Sequence, residues 1–294
     1  MKAKLSIIVV HYQVEDILFE CLKSIYSQKI KFLFEVIVVD NGSDHKFKYR
    51  LLKQYKKVKY IQAKKNLGYG GGNNLGVKQA LGKYLFFLNP DTILQPNCLY
   101  ELITFIESNS QCGIVAPTLI HSNKKIFGSQ GALTLTPLRA IAAHSIFHKI
   151  WSNNPVAKKF NLTTVDKTKV RKVEVVPGTA FVIPKELFKN IGKFDPHFFL
   201  YFEEFDLCRR VLQMNKEIWM LANAKVIHHW GKTTKNSDVS NYYKKSFHCY
   251  LVKYYGFFIG NITYLITQIS KLHLILILLF FFIISLILIV YRSY

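Results

Sequence analysis

The chain has 294 residues, of which 40 are Lys or Arg and 18 are Asp or Glu, so its formal net charge is +22. This length allows one large domain or two small ones, and the charge predicts a polyanionic partner: a nucleic acid, an anionic membrane face or a phosphorylated substrate. The 5 cysteines form no CxxC pair, which favours reduced, buried thiols over a disulfide framework.

Strands and helices alternate along the first 120 residues. Apolar runs predict buried strands at residues 5–10, 34–40, 58–63, 84–89 and 113–117. Helical spacing of apolar residues predicts helices at residues 17–26, 74–81 and 99–106. Continuous apolar strands separated by helices predict an α/β fold with a mostly parallel sheet flanked by helices. Ligands of such sheets bind beyond the carboxyl ends of the strands.

Polar residues follow these strands where the rule places a ligand. Asp40 ends the second strand, and Asp91 follows the fourth in the turn Asn89-Pro90-Asp91. The stretch NLGYGGGNNLG (66–76) opens a helix, whose first amides favour phosphate. An acid beside such a loop is suited to hold a divalent metal against a diphosphate. The alternatives are a tight glycine turn and ordinary Asn-Pro-Asp turn chemistry.

The stretch FFLYFEEFDLCRR (198–210) predicts a helix that begins near Glu203. Glu204 falls within the apolar side, whereas the other side takes the remaining charged residues: Glu203, Asp206, Arg209 and Arg210. A carboxyl against an apolar wall has a raised pKa, which suits a base near neutral pH. Three alternatives stay open: Glu204 as a carboxylate on the helix dipole, Glu203 as the base, and Asp206–Arg210 as an ordinary surface ion pair.

Several motifs in order resemble glycosyltransferase family 2, and most closely the rhamnosyltransferase-like enzymes of bacterial surface-polysaccharide synthesis. They are HYQ, VVDNGSD, NLGYGGGNNLG, FLNPD, VEVVPGTAFVIPKELF, GKFDPHFFLYFEEFDLCRR and IWMLANAKVIHHWGKTT, which cover about residues 4–235. The resemblance implies a GT-A fold over residues 1–235. Residues 1–120 would form the nucleotide-sugar-binding half and residues 121–235 the acceptor-binding half.

The resemblance also implies roles at the donor site. Asp40 matches the acid that contacts the nucleotide base or ribose, and His11, at the end of the first strand, is expected to touch the nucleotide. Three residues match the loop beside the nucleotide and sugar: Asn66, Gly68 and Asn73.

Metal and base residues follow from the same resemblance. Asp91 matches the last acid of a DxD-like motif that contacts donor and metal, although Asn89 stands where its first Asp is often found. His228 matches a histidine near the diphosphate and metal. Glu204 matches the catalytic base of a Glu-Asp pair, with Glu in place of Asp. The expected cofactor is Mg²⁺ or Mn²⁺.

The chain from Leu272 to Val290 is apolar except for His273 and Ser285. As a helix it would be about 28 Å long, which matches a bilayer core and predicts a C-terminal transmembrane helix. Residues 236–271 would then be a juxtamembrane or interfacial segment. The basic residues lie on the large N-terminal side, so the positive-inside rule predicts a cytoplasmic catalytic domain at the inner membrane of the cell.

The predicted activity is inverting, metal-dependent transfer of a sugar from a nucleotide-sugar donor to a lipid-linked saccharide, in cell-surface polysaccharide synthesis. L-rhamnose from dTDP-rhamnose is the favoured sugar, with a UDP-hexose or UDP-galactofuranose as the alternative donor. Because Glu replaces Asp at 204, a scaffold that binds a nucleotide sugar without turnover is a further alternative. Nucleic acid is excluded as a partner, since no helix-turn-helix or RNA-recognition signature is present.

Overall fold

The structure is a computed structural model that describes residues 3–43, 46–229, 239–269, 279 and 283–284. The chain divides into two compact units. The first comprises Met1–Thr134 and Asn161–Tyr250, and the second comprises Leu135–Phe160 and Leu251–Tyr294. The predicted domain boundaries at residues 120, 235 and 271 stay a prediction.

Strands and helices alternate in the first part of the chain, as the apolar runs predict. In order they are β1 (Leu5–His11), α1 (Glu15–Tyr26), β2 (Phe34–Asp40), α2 (Lys46–Gln54), β3 (Lys59–Gln62), α3 (Gly68–Val77), β4 (Tyr84–Leu88), β5 (Thr92–Leu94), α4 (Cys98–Ser108) and β6 (Cys112–Ile120). The elements that follow are α5 (Pro137–His144), α6 (Ile146–Ile150), α7 (Pro155–Phe160), β7 (Arg171–Val173), β8 (Ala180–Pro184), α8 (Lys185–Asn190), α9 (Glu203–Gln213), β9 (Glu217–His228) and α10 (Val239–Gln268).

One mixed sheet organises the first unit. Its strand order is β3-β2-β1-β4-β8-β6-β9-β5, and β7 pairs with β9. The pairs β1–β2, β1–β4, β2–β3 and β6–β9 are parallel, whereas β8 runs antiparallel to β4 and β6, and β5 and β7 run antiparallel to β9. The α/β class is confirmed, and most strands run in one direction, as predicted: these are β1, β2, β3, β4, β6 and β9. The sheet is nevertheless mixed, because β5, β7 and β8 run the other way. An apolar run marks a buried strand without giving its direction.

Helix α3 lies on β1 and β2 through its glycines. A Cβ atom at Gly72 would come 2.7 Å from Val10 Cγ1, and one at Gly76 would come 2.7 Å from Ile8 Cγ2. Only residues without a side chain allow this close approach. The helix covers Gly68–Val77, so it begins and ends earlier than the predicted 74–81. The glycine-rich stretch is mostly helix, so the alternative of a tight turn is wrong.

The second unit contains α5, α6, α7 and the later part of α10. Helix α5 starts at Pro137, and the side chain of Thr136 caps it by accepting from the amide of Arg139. The amide of Asn154 donates to the carbonyl of Ala142 at 3.1 Å. Within α10, Gly256 has φ 77° and ψ 170°, which kinks the helix.

The prediction of a transmembrane helix over Leu272–Val290 needs correction. Among the residues that the structure describes, no helix has both the length and the apolar composition that crossing a membrane requires. Helix α10 is long, but lysines such as Lys244 and Lys253 interrupt its apolar residues. Apart from 279 and 283–284, residues 272–290 lie outside the described part of the chain. The transmembrane part of the predicted fold and the inner-membrane location inferred from it are therefore wrong on this finding.

Candidate active site

The carboxyl ends of β1 and β2 bring His11 beside Asp40, because the two residues are partners in the parallel register. Both side chains are fully buried, and His11 Nε2 lies 3.9 Å from Asp40 Oδ2. The Asp40 oxygens accept from the Ser43 amide at 2.7 Å and from the Tyr60 hydroxyl at 2.6 Å. Burial lowers the pKa of His11 to about 4 against the opposing charge of Asp40, so the imidazole is neutral at pH 7.

Asn41, which the sequence analysis missed, holds the start of the glycine-rich stretch. Its Nδ2 donates to Asn66 Oδ1 at 2.9 Å and to the Gly68 carbonyl at 3.1 Å, and its Oδ1 accepts from the Leu67 amide at 3.0 Å. Asn66 Oδ1 also accepts from the Gly68 amide at 2.9 Å. Asn41 follows Asp40 directly, and this position just after a buried strand could have identified it from the sequence.

The start of α3 also contacts the segment before α9. Gly68 has φ +72°, and a Cβ atom there would overlap the carbonyl oxygen of Phe199. The Tyr69 amide donates to that same carbonyl at 2.9 Å. Farther along α3, the Asn74 side chain donates to the Phe194 carbonyl at 2.8 Å and accepts from the Phe194 amide at 3.2 Å. The glycine-rich helix and the segment before α9 are therefore one connected assembly.

The first amides of α3 are already engaged inside the protein. Those of Leu67, Gly68 and Tyr69 donate to protein oxygens, so the structure does not leave them open for a phosphate. Asn73 is buried, and its Nδ2 donates to the Tyr69 carbonyl at 3.0 Å. Within the described residues its Oδ1 is buried and accepts no hydrogen bond. Asn73 thus keeps an acceptor for a ligand, and its predicted role stays a prediction.

Asp91 and His228 meet through the pairing of β5 with β9. Thr92 is the register partner of His228, and the His229 amide donates to the Asp91 carbonyl at 2.9 Å. His228 Nε2 lies 3.4 Å from Asp91 Oδ1, and both side chains are buried. This spacing fits two neighbouring ligands of one metal ion. Within the described ranges no cluster of three or more His, Cys, Asp or Glu is suited to a metal.

Asp91 and His228 would form a partial donor set for a divalent metal. Mg²⁺ in proteins is commonly held by one or two carboxylates together with substrate phosphates and water. The buried carboxylate of Asp91 fits that pattern, whereas the imidazole of His228 is a ligand type that suits transition metals better than Mg²⁺. The remaining ligands would have to come from a bound diphosphate and from water.

A left-handed turn presents the two glutamates at the start of α9. Tyr201 has φ 69° and Phe202 has φ 65°, a conformation that costs a residue with a side chain about 1 kcal/mol or more. The ring of Phe202 is buried against Tyr243, Phe247 and Tyr250. Its burial offsets the backbone strain, and α9 can begin at Glu203.

The helical projection is wrong about Glu203 and Asp206. Glu203 is 4% exposed and Asp206 is fully buried, whereas Glu204 is half-buried. Arg210 Nε donates to Asp206 Oδ2 at 3.0 Å, and its Nη1 donates to the Ile191 carbonyl. The protein therefore covers α9 on more than one side, and Asp206–Arg210 is a partly buried pair instead of a surface pair.

The two glutamates differ in acidity. Burial raises the pKa of Glu204 to about 7, against backbone hydrogen bonds at the start of α9 that lower it. Burial and the neighbouring charge of Glu204 raise the pKa of Glu203 well above its ordinary value. Among the described residues, Oε2 of each is buried and has no hydrogen-bond partner. Both carboxyls therefore bind a proton more tightly than an ordinary glutamate does, and Glu204 can accept a proton near neutral pH.

Three tyrosines that the sequence analysis missed surround the glutamates. The hydroxyl of Tyr69 donates to the Gly178 carbonyl, and a Cβ atom at Gly178 would lie 3.7 Å from Glu204 Cβ. Burial and the charges of both glutamates raise the pKa of Tyr69 and of Tyr201. Burial and the charge of Glu204 do the same for Tyr243. Tyr69 and Tyr201 lie within the quoted motifs, but nothing in the sequence links them to Tyr243, because three separate segments supply the three side chains.

The comparison with known families matches residues 6–192 to Glycosyl transferase family 2. The low-salt glycan biosynthesis hexosyltransferase Agl10 of Haloferax volcanii is 28% identical over 228 residues, which are 76% of this chain and 66% of that protein. The N-acetylglucosaminyl-diphospho-decaprenol L-rhamnosyltransferase of Mycobacterium tuberculosis is 23% identical over 221 residues, which are 70% of each protein. The chain thus spans slightly less than two thirds of Agl10.

Solved structures share the fold at low sequence identity. GalNAc-T7 with UDP, GalNAc and Mn²⁺ has a TM-score of 0.61 and 17% identity, over 81% of this chain and 46% of that one. S. aureus TarS 1-349 has a TM-score of 0.54 and 19% identity, over 85% of this chain and 65% of that one. The predicted resemblance and the GT-A-like α/β fold are confirmed. On the match over residues 6–192, the chain belongs to glycosyl transferase family 2.

Proposed function

We propose that this chain is an inverting glycosyltransferase that moves a sugar from a nucleotide-sugar donor to a lipid-linked saccharide, in cell-surface polysaccharide synthesis. Its relatives include a glycan biosynthesis hexosyltransferase and an L-rhamnosyltransferase named for a decaprenol-linked substrate. These names support a sugar donor and a lipid-linked acceptor as the substrate classes. L-rhamnose from dTDP-rhamnose is the favoured donor sugar.

The observation that carries the proposal is the state of Glu204. Its Oε2 is buried without a hydrogen-bond partner among the described residues, and its pKa is about 7. A base with a pKa near the working pH combines a substantial ionised fraction with good proton affinity. A protein that only binds a nucleotide sugar needs no carboxyl whose ionised form is destabilised by burial. The raised pKa of Glu204 therefore favours the enzyme over the scaffold alternative.

In the proposed reaction, Glu204 removes the proton from the acceptor hydroxyl as that oxygen attacks the anomeric carbon. The new carbon–oxygen bond forms on the face opposite the leaving group, which inverts the configuration. The bond from the anomeric carbon to the diphosphate breaks, and the electron pair leaves with the nucleoside diphosphate. The raised pKa of Glu203 favours its neutral form, which limits the negative charge beside the base.

The donor would bind at the carboxyl edge of the sheet. We assign the nucleoside to His11 and Asp40, and we place the sugar beside the stretch that contains Asn66, Gly68 and Asn73. The adjacency of His11 and Asp40 and the unused acceptor of Asn73 support this assignment. Asp91 and His228 would hold Mg²⁺ or Mn²⁺, which supplies positive charge to the departing diphosphate. The GalNAc-T7 structure, solved with Mn²⁺, is consistent with a divalent metal in this fold.

The test measures nucleoside-diphosphate release by purified protein with a panel of nucleotide sugars and a lipid-diphosphate saccharide, with and without EDTA. Release that requires one donor, the acceptor and the metal identifies the transferase. Glu204→Gln should lower transfer by roughly 10²- to 10⁴-fold, the usual contribution of a general base, with donor binding retained. Glu186→Gln is the matched control, because Glu186 is exposed and pairs with Lys189.

Two outcomes would overturn the proposal. Full transfer by Glu204→Gln, with the loss appearing in Glu203→Gln, would make Glu203 the base. Nucleotide binding without release from any donor in the panel would support the scaffold alternative.

A further inference from the structure

Two tyrosines from separate elements form an aromatic corner beside the candidate base. Tyr201 comes from the left-handed turn and Tyr243 from α10, and their ring centroids lie 5.5 Å apart with planes at 65°. Both residues are half-buried. Phe202 and Phe247 pack behind Tyr243, with ring centroids 5.2 Å and 6.3 Å away. These contacts fix the corner in place.

Glu204 lies between the assembly of the glycine-rich helix and the aromatic corner. Gly178 is in contact range of its side chain, and the carbonyl of Gly178 accepts from Tyr69 of the glycine-rich helix. That side belongs to the assembly proposed above to bind the donor. On the other side, Tyr201 precedes Glu204 by three residues across the left-handed turn, and Phe202 of the same turn packs against Tyr243. The aromatic corner therefore borders the start of α9, where Glu204 lies.

The chemistry of the corner differs from that of an ordinary core. A tyrosine in the corner gains nothing from packing that a phenylalanine would not also provide, so packing alone does not account for its hydroxyl. Aromatic rings with a polar tip suit ligands that have one apolar face and several hydroxyls, as sugars do. The left-handed turn adds strain of the kind that is kept at binding sites.

We propose that the acceptor saccharide stacks in the corner formed by Tyr201 and Tyr243, which directs its nucleophilic hydroxyl to Glu204. The inference rests on the proposed glycosyl transfer and adds the acceptor side of the same site. It predicts that the corner determines acceptor affinity and leaves donor affinity unchanged.

The experiment uses octyl N-acetylglucosaminide, below its micelle concentration, as the acceptor probe. Tyr201→Ala and Tyr243→Ala should each raise the acceptor KM by about tenfold, the upper range for loss of one aromatic contact. The donor KM and the slow hydrolysis of the donor by water should not change. Tyr201→Phe and Tyr243→Phe keep the ring and should stay within about threefold of the unmodified protein. Tyr49→Ala, at an exposed tyrosine of α2, is the matched control.

A second measurement covers the possibility that an alanine variant does not fold. The unmodified sequence is labelled with 3-fluorotyrosine, and the two Phe variants assign its ¹⁹F resonances. Adding the glycoside should shift the Tyr201 and Tyr243 signals and leave that of Tyr49 in place. Unshifted signals, or an equal rise in donor KM and loss of hydrolysis in the alanine variants, would overturn the inference. Failure of the proposed function appears separately, as absence of donor turnover by the unmodified protein.

Discussion

Burial destabilises the ionised carboxyl of Glu204 at the position where a catalytic base is needed. Its pKa is raised from an ordinary value of 4.5 to about 7, mainly by burial. A base must be deprotonated to act, so kcat/KM should fall about tenfold per pH unit below pH 7 and level off above it. The measurement is a pH profile of kcat/KM for the acceptor, taken at saturating donor. A profile that is flat from pH 5 to pH 8 would exclude Glu204 as the base.

The same shift affects stability with a defined sign. Because the folded-state pKa is above the unfolded value, the folded protein binds more protons between about pH 4.5 and pH 7, and stability falls as pH rises through that window. Glu204→Gln removes this cost. We expect the variant to be about 1–3 kcal/mol more stable at pH 8 and unchanged at pH 4.5, at roughly 1.4 kcal/mol per pKa unit.

Urea unfolding at the two pH values measures this difference. Glu186→Gln, on exposed surface, should show no comparable gain at pH 8. A variant less stable than the parent at pH 8 would mean that the Glu204 charge has a partner in the folded protein.

Among the elements, α3 depends on a glycine that no other residue can replace. Gly68 has φ +72°, and its Cα faces the Phe199 carbonyl. Gly68→Ala should therefore destabilise the fold by about 2 kcal/mol or more, from both backbone strain and overlap. Gly128→Ala is the matched control, since a Cβ atom at Gly128 would meet nothing within 4 Å. Thermal unfolding compares them, and equal melting temperatures would contradict this role of Gly68.

Elements defined by apolar runs could be predicted from the sequence, and elements defined by close contacts could not. The bounds of β1, β2 and β4 follow their apolar residues to within one residue. The bounds of α3 were wrong because glycine has a poor helix propensity, and its role as a spacer against Val10 and Ile8 is a tertiary effect. The burial of Glu203 was missed because an amphipathic projection assumes one solvent-facing side.

The site could be predicted only in part for the same reason. His11 and Asp40 end their strands and Asp91 follows one, which are the positions that the carboxyl-edge rule indicates. The tyrosines Tyr69, Tyr201 and Tyr243 come from three segments distant in the chain, and only the folded protein brings them to Glu204. Their roles and those of the predicted site residues remain to be tested by the experiments above.

At the scale of the whole molecule, the net charge of +22 should assist capture of an anionic donor. Raising KCl from about 50 mM to about 500 mM should increase the KM for a nucleotide sugar roughly two- to fivefold, because salt screens the attraction. The KM for an uncharged glycoside acceptor, measured in the same series, is the control and should not rise. A donor KM independent of salt would show that the basic surface does not take part in donor capture.

The pairing of β5 with β9 has a consequence for how the protein matures. Asp91 precedes a strand of only 3 residues, and its partner His228 ends the last strand of the sheet. Contacts between such distant parts of a chain form slowly, because the entropy of closing a long loop is lost before the contacts can stabilise the fold. The helical signal of a refolding chain can therefore return while Asp91 and His228 are still apart. We expect Asp91 and His228 to meet late in folding, so the metal site proposed for them would form only in a nearly complete molecule.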